Sequence, residues 1–228
     1  MPVPTIAPEL IDALAGYDSA TVQNAGILVR GYVDAAGDYN APGLDRMVGS
    51  EEVVVGYAVT AELTPVSERS ETLDWNEYHD LLAYTDAPLI VVLKDVDQPS
   101  RRGAIIGDGM AYRFTALGAV GAVVDGNARD VPGIEKAGLH LWATGRVPGH
   151  GPFNLVRHSS DVEINDLRIS QGDILVCDGD GVTRVAPEAA ADIVKACEEV
   201  RKRESELHRF FSTPGFSTAD YESWKRDR

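Results

Sequence analysis

The chain has 228 residues, 44% of them hydrophobic, enough to bury a substantial core, which excludes disorder as its ordinary state. Its 36 acidic residues against 21 basic give a formal net charge of -15, which argues against DNA or RNA as the main partner and otherwise serves solubility. No apolar run approaches the roughly 20 residues of a membrane helix, and the opening MPVPTIAPELIDALAGY lacks the basic, then apolar pattern of a signal peptide, so a soluble cytoplasmic protein is expected.

In chain order, Pro8 suits the first turn of a helix whose Leu10, Ile11 and Leu14 share a face, making residues 1–17 an N-terminal helical segment. A second helix is predicted from Ser19 to the glycines near Gly26 or Gly31. After a Gly/Pro/Asn-rich loop, residues 51–63 (EEVVVGYAVTAEL) read as a strand and residues 75–84 as a helix. The run APLIVVLKDV (87–96) is continuously apolar and β-branched, the pattern of a strand covered on both faces. Residues 109–117 read as helix and GAVGAVVDG (118–126) as a second buried strand. Strand, helix, strand favours a parallel pair with a right-handed crossover.

PGIEKAG (132–138) is a short helix, LHLWAT (139–144) a strand, and HGPFNLVRH (150–158) a loop. Strands at 173–177 and 182–186 are joined by Asp178, Gly179, Asp180 and Gly181, residues suited to a tight turn. Pro187 starts the longest helix, with Ile193, Ala196, Cys197 and Val200 as its apolar stripe. The tail 212–228 carries Pro, Gly and three aromatics and is expected to dock rather than float free, a neighbouring subunit being one candidate surface. Without repeats, low-complexity segments or a long linker, residues 1–228 read as one α/β domain with a mixed sheet. Cys177 and Cys197, with no metal or redox spacing, read as buried thiols of a reducing compartment.

The chemistry concentrates in residues 107–130, GDGMAYRFTALGAVGAVVDGNARD. Gly107, Asp108 and Gly109 open a helix, where unpaired backbone N–H groups and the helix dipole attract anions; a plain structural turn is the competing reading. Arg129 and Asp130 follow the buried strand, at the edge where open α/β sheets bind ligands. Arginine offers a planar fork for a carboxylate, and aspartate a hard oxygen for Mg²⁺; a surface ion pair explains the two as well. A parallel crossover brings Asp108 and Arg129 side by side, making a pocket suited to a small oxo-acid. The five histidines, His79, His140, His150, His158 and His208, lack zinc spacing and read as surface or loop residues, and no nucleophile elbow or P-loop is present. Asp173, Asp178 and Asp180 are explained by turn chemistry.

The pattern GDGMA…ALGAVGAVVDGNARD resembles the signature region of the RraA-like family, which includes class II 4-hydroxy-4-methyl-2-oxoglutarate/4-carboxy-4-hydroxy-2-oxoadipate aldolases and the regulator of ribonuclease E activity. SATVQNAG, PLIVVLKD and GDILVCDGDGVTRVAP extend the likeness over roughly residues 18–210. The resemblance implies a β/β/α fold like the swivelling domains of phosphotransfer proteins, with a mixed sheet and a C-terminal helix. It also implies a homotrimer or homohexamer with active sites between subunits. By position, the backbone of Gly107, Asp108, Gly109 and Met110 would cradle a pyruvyl group. Arg129 would bind its oxygens, Asp130 would hold Mg²⁺ or Mn²⁺, and Asp108 would position metal-bound water. A glutamate from a neighbour's C-terminal helix, matched by Glu204 or Glu206, would complete the site. The implied reaction is cleavage of a 4-hydroxy-2-oxo diacid to pyruvate, with oxaloacetate decarboxylation as a side activity. A non-catalytic ribonuclease regulator and a lyase or decarboxylase for another oxo-acid are the alternatives. The regulators look altered at the second residue of the Arg-Asp pair, whereas Asp130 is present here. QNAG where the family has SDAL, and an unfamiliar segment 64–86, leave the distal end of the substrate open.

Overall fold

The computed structural model describes residues 6–69 and 71–226; the ends of the N-terminal segment 1–17 and of the tail 212–228 fall partly outside that range. The elements are α1 (Pro8–Leu14), α2 (Ser19–Arg30), α3 (Ala35–Asp38), β1 (Asp45–Val48), β2 (Val54–Thr64), α4 (Trp75–Ala83), β3 (Leu89–Asp95), β4 (Ala104–Ile106), α5 (Asp108–Ala116) and β5 (Ala119–Ala128). They continue with α6 (Val131–Ala137), β6 (His140–Arg146), β7 (Asn154–His158), β8 (Val162–Ile164), β9 (Leu167–Ile169), β10 (Ile174–Cys177), β11 (Val182–Val185), α7 (Ala190–Phe211) and α8 (Thr218–Arg226).

The main sheet runs β1-β6-β5-β3-β2-β10-β11, with β4 paired to β5 and β7 to β2. Strands β2, β3, β5 and β6 are mutually parallel where they pair, while β1, β7, β10 and β11 pair antiparallel, so the sheet is mixed. The continuous apolar run of β3 has a direct cause: Leu89, Val91 and Leu93 face the helices, and Ile90 and Val92 face the opposite side. The helical side packs Ile11, Leu14, Val22, Leu82, Phe114, Ile134 and Ile193 on the sheet. On the other side Val162, Ile164, Leu167 and Ile169 of the β8–β9 hairpin cover Val123, Trp142 and Leu175. Hairpin, sheet and helices make the expected β/β/α layering, closed by the long α7 near the C-terminus.

Three expectations need correction. HGPFNLVRH is not all loop: Asn154–His158 form β7, an edge strand on β2, because the segment has a pairing partner that its mixed composition does not announce. The second buried strand does not stop at Gly126, since Asn127 and Ala128 pair with Ala104 and Ile106 of β4 on one side and with Gly145 and Arg146 of β6 on the other, which extends β5 to Ala128. The turn 178–181 does more than reverse the chain. Buried Asp178 accepts from Ser19 N (2.6 Å), Ser19 Oγ (2.8 Å) and Asp180 N (2.9 Å), tying the hairpin to the start of α2.

Helix α2 is capped by Asp18, which accepts from Thr21 N at 2.7 Å, and ends at Gly31 in the left-handed conformation, φ 82°. The tail folds back on the end of α7, where Phe210 stacks on Trp224 with centroids 5.3 Å apart. Among the described residues, no helix is long and apolar enough to cross a membrane.

Both cysteines are buried free thiols. Burial, and then the neighbouring Asp178, push Cys177 well above the ordinary thiol value; burial pushes Cys197 to about 11 against the opposing charge of Arg201. Neither is expected to react with a thiol-directed disulfide reagent at pH 8 until the protein unfolds, with absorbance of the released chromophore as the readout.

Candidate active site

Parallel pairing of β4 with β5 brings the two ends of the 107–130 segment together. The Arg129 N–H donates to Ile106 O at 3.0 Å, so the carboxyl end of β5 is tied to the residue before Gly107. A Cβ at Gly107 would lie 3.2 Å from Arg129 Nε and 3.3 Å from its Cγ, so any side chain there requires Arg129 to give way by a few tenths of an ångström. Glycine at 133 does the same for the neighbouring helices: a Cβ there would come within 2.6 Å of Asp108 Cβ, so α5 and α6 meet at the site.

Helix α5 starts at Asp108 with Gly107 as an extended N-cap, and no side chain caps it from that position. Asp108 Oδ1 accepts from the neighbouring Gly109 N at 2.7 Å. The helix N-terminus opens into a cavity of about 400 Å³ lined by Gly107, Asp108, Gly109, Met110, Arg113 and Arg129, with Trp75, His79 and Phe153 forming the remaining wall. Two arginines and an open helix N-terminus outweigh the one lining carboxylate, Asp108, and leave this cavity net positive in a chain of net charge -15.

Asp130 stands at the N-cap of α6 in the left-handed conformation (φ 52°), which aspartate tolerates better than most residues. Its carbonyl accepts from Gly133 N (2.7 Å) and Ile134 N (3.1 Å), leaving the carboxylate free of the capping role. Asp130 Oδ2 lies 3.2 Å from Arg129 Nε, an ion pair with the two side chains about one-third and one-half exposed. That Nε–H is misdirected for a hydrogen bond, so it is a buried donor with no partner. Asp130 is outside the cavity wall and reaches it through Arg129.

The sequence expectation thus places five residues, Gly107, Asp108, Gly109, Met110 and Arg129, on one wall, and Asp130 beside it. Among the described residues, no three His, Cys, Asp or Glu side chains gather into a metal-binding group. The donor chemistry nonetheless fits Mg²⁺, which takes one or two carboxylates and keeps much of its water, and Asp108 and Asp130 both stand next to the Gly107–Arg129 contact. Glu204 and Glu206 line a different cavity, between α7 and α8, and do not reach this one within a single chain.

The sequence did not single out Trp75, Arg113 and Phe153, and its reading of His79 as a surface or loop residue is corrected: His79 is part-buried on helix α4, in the cavity wall. A signal existed for Trp75 and His79: on α4, Trp75, Tyr78, His79 and Leu82 fall at i, i+3, i+4 and i+7, and Tyr78 and Leu82 are buried in the core. Trp75 and His79 flank that buried stripe and stack, with centroids 5.6 Å apart. Burial first, and Arg113 second, hold the His79 pKa below its ordinary value against the opposing charges of Asp74 and Asp80.

Gly107→Ala tests the close approach. The extended φ of -143° suits alanine, so melting temperature should hold or rise, while displacement of Arg129 should lower turnover of an oxo-acid by about tenfold or more. Paired thermal and kinetic measurements on the variant check both halves.

The RraA-like family profile, described as Aldolase/RraA, matches residues 8–184. A curated relative, an uncharacterized protein of Methanocaldococcus jannaschii, is 23% identical over 166 residues, 72% of this chain and 76% of the relative. Among solved structures, RraAS2 of Streptomyces coelicolor, described as an unusual member of the RNase ES inhibitor RraA protein family, superposes with a TM-score of 0.74 at 24% identity, covering 91% of this chain and 99% of its own. An uncharacterized protein of Pseudomonas syringae pv. tomato gives 0.74 at 24% identity over 95% and 94% of the two chains. At these identities the likeness shows the fold.

Proposed function

This chain belongs to the RraA-like family, and from that premise we propose that it is a divalent-metal-dependent class II aldolase. Its substrate would be a 4-hydroxy-2-oxo diacid such as 4-hydroxy-4-methyl-2-oxoglutarate, cleaved to pyruvate and a second oxo-acid, with oxaloacetate decarboxylation as a side activity. The observation that supports this most is the union of the α5 N-terminus, Gly107–Met110, with Arg129 in one electropositive cavity at the carboxyl ends of two parallel strands.

In cleavage, the 4-hydroxyl loses its proton and the C3–C4 bond breaks. C4 becomes the carbonyl of the second oxo-acid, and the bonding pair passes to the pyruvyl fragment as an enolate, which is then protonated at C3. The backbone N–H groups at the start of α5 bind the pyruvyl carboxylate. Arg129 places its charge against the oxygen on which the enolate develops, where a preorganised donor contributes most. Asp108 holds the water that accepts the hydroxyl proton. Asp130 would hold Mg²⁺ or Mn²⁺, which when bound would supply Lewis-acid stabilisation of the enolate. Loss of CO₂ from oxaloacetate leaves the same enolate, so one site serves both reactions. A homotrimer or hexamer, in which Glu204 or Glu206 of one chain reaches a neighbour's cavity, completes the proposal.

The description of the Streptomyces relative favours a second reading, a non-catalytic regulator of a ribonuclease. Incubation of the purified protein with oxaloacetate and with 4-hydroxy-4-methyl-2-oxoglutarate, with Mg²⁺ or with chelator, separates the two. Metal-dependent pyruvate from either substrate supports the lyase. No pyruvate from either, in a folded protein, favours the regulator or a lyase for another oxo-acid.

A further inference from the structure

The cavity carries a second arginine that the reaction above does not use. Arg113 stands four residues after Gly109 on α5, hence on the face that carries the anion-binding end of the helix, and it shares the cavity wall with Arg129. Among the described residues no carboxylate is paired with it, although acidic residues outnumber basic ones 36 to 21. It is also accompanied by a rigid aromatic surface. Trp75 stacks on His79 at an interplanar angle of 21°, and Trp75 Nε1 donates to Phe153 O at 3.0 Å. Phe153 is held at φ 53°, a backbone conformation unfavourable for a bulky residue that persists where the surroundings over-determine it. Here they do: the indole N–H fixes the Phe153 carbonyl, and His150 stacks on the Phe153 ring with centroids 4.4 Å apart.

We infer that Arg113 with Trp75, His79 and Phe153 forms a second subsite, in which Arg113 binds the distal carboxylate of a 2-oxo diacid and the rings hold its hydrocarbon link out of water. Arg113 is then the specificity-determining residue for the far end of the ligand. The inference rests on the oxo-acid reading of the Arg129 end. A planar guanidinium that shares a cavity with aromatic side chains suits a carboxylate carried on a short apolar chain. His79, whose charged form is disfavoured by burial and by Arg113, adds a neutral polar edge and leaves Arg113 as the cation of this subsite. Trp75 and His79 lie in segment 64–86, Phe153 just before β7, and Arg113 on α5.

The test compares two ligands that differ only at the far end, 2-oxoglutarate and 2-oxopentanoate, by calorimetric titration of the full chain in Mg²⁺. The wild-type protein should bind 2-oxoglutarate on the order of ten- to a hundredfold more tightly, the range of a charge-assisted hydrogen bond. Arg113→Gln, at an exposed helical position where glutamine is well tolerated, should erase that preference while lowering 2-oxopentanoate affinity far less than 2-oxoglutarate affinity; Arg113→Lys should restore part of the preference. Equal wild-type affinity for the two ligands, or a preference that survives in Arg113→Gln, overturns the subsite and leaves the oxo-acid reading intact. Binding of neither ligand overturns both.

Discussion

Asp130→Asn is expected to lower pyruvate formation by on the order of 10²–10³-fold while the protein stays folded. Asparagine keeps the size of the side chain and tolerates the left-handed backbone at φ 52°, so the variant removes the charge without straining the start of α6. Alanine there would add a backbone penalty of about 1 kcal/mol or more and confuse loss of function with loss of stability. The Asp130 charge has two roles in the proposed site, holding the divalent ion and pairing with Arg129 across 3.2 Å. Steady-state pyruvate release, circular dichroism and Mn²⁺ binding on the same preparation check the expectation. Wild-type turnover in Asp130→Asn would remove this carboxylate from the mechanism.

Asp178→Ala should instead act on stability, lowering it by about 3–5 kcal/mol, because three donors lose their acceptor in a buried place. Ser19 N, Ser19 Oγ and Asp180 N all point at this carboxylate, and the Asp178 carbonyl accepts from Trp142 Nε1 at 2.7 Å. The single residue therefore fixes the β10–β11 turn, the first turn of α2 and the ring at the centre of the hairpin-side core. At roughly 2–4 °C per kcal/mol for a chain of this size, the melting temperature should fall by about 10 °C. Calorimetric unfolding gives the number; a loss under about 1 kcal/mol would show that the network is dispensable.

That residue illustrates what the sequence discloses and what it leaves hidden. Asp-Gly-Asp-Gly announces a turn because its chemistry is local, but Ser19 lies 159 positions away and nothing in the spacing joins them. In the same way, β3 is plain from its apolar run since both of its faces are covered, whereas three-residue β4 carries no periodic signal and is defined by its partner β5. The Gly107–Arg129 contact could be anticipated because strand, helix, strand leaves little choice of geometry. The aromatic wall could not: Phe153 belongs to a loop with a left-handed backbone, and only the fold brings it to Trp75. Asp130 stands between these cases, found by its motif but placed beside the cavity, not in its wall.

The central claim is that the Gly107–Met110 and Arg129 cavity stabilises the enolate of pyruvate. Exchange of the pyruvate methyl protons in D₂O, followed by proton NMR, reads that step without any distal group or second substrate. With Mg²⁺ present the protein should speed loss of the methyl signal well above the rate of Mg²⁺ alone, and Arg129→Gln should return it to that background. Exchange no faster than with Mg²⁺ alone, or undiminished in Arg129→Gln, would contradict the account.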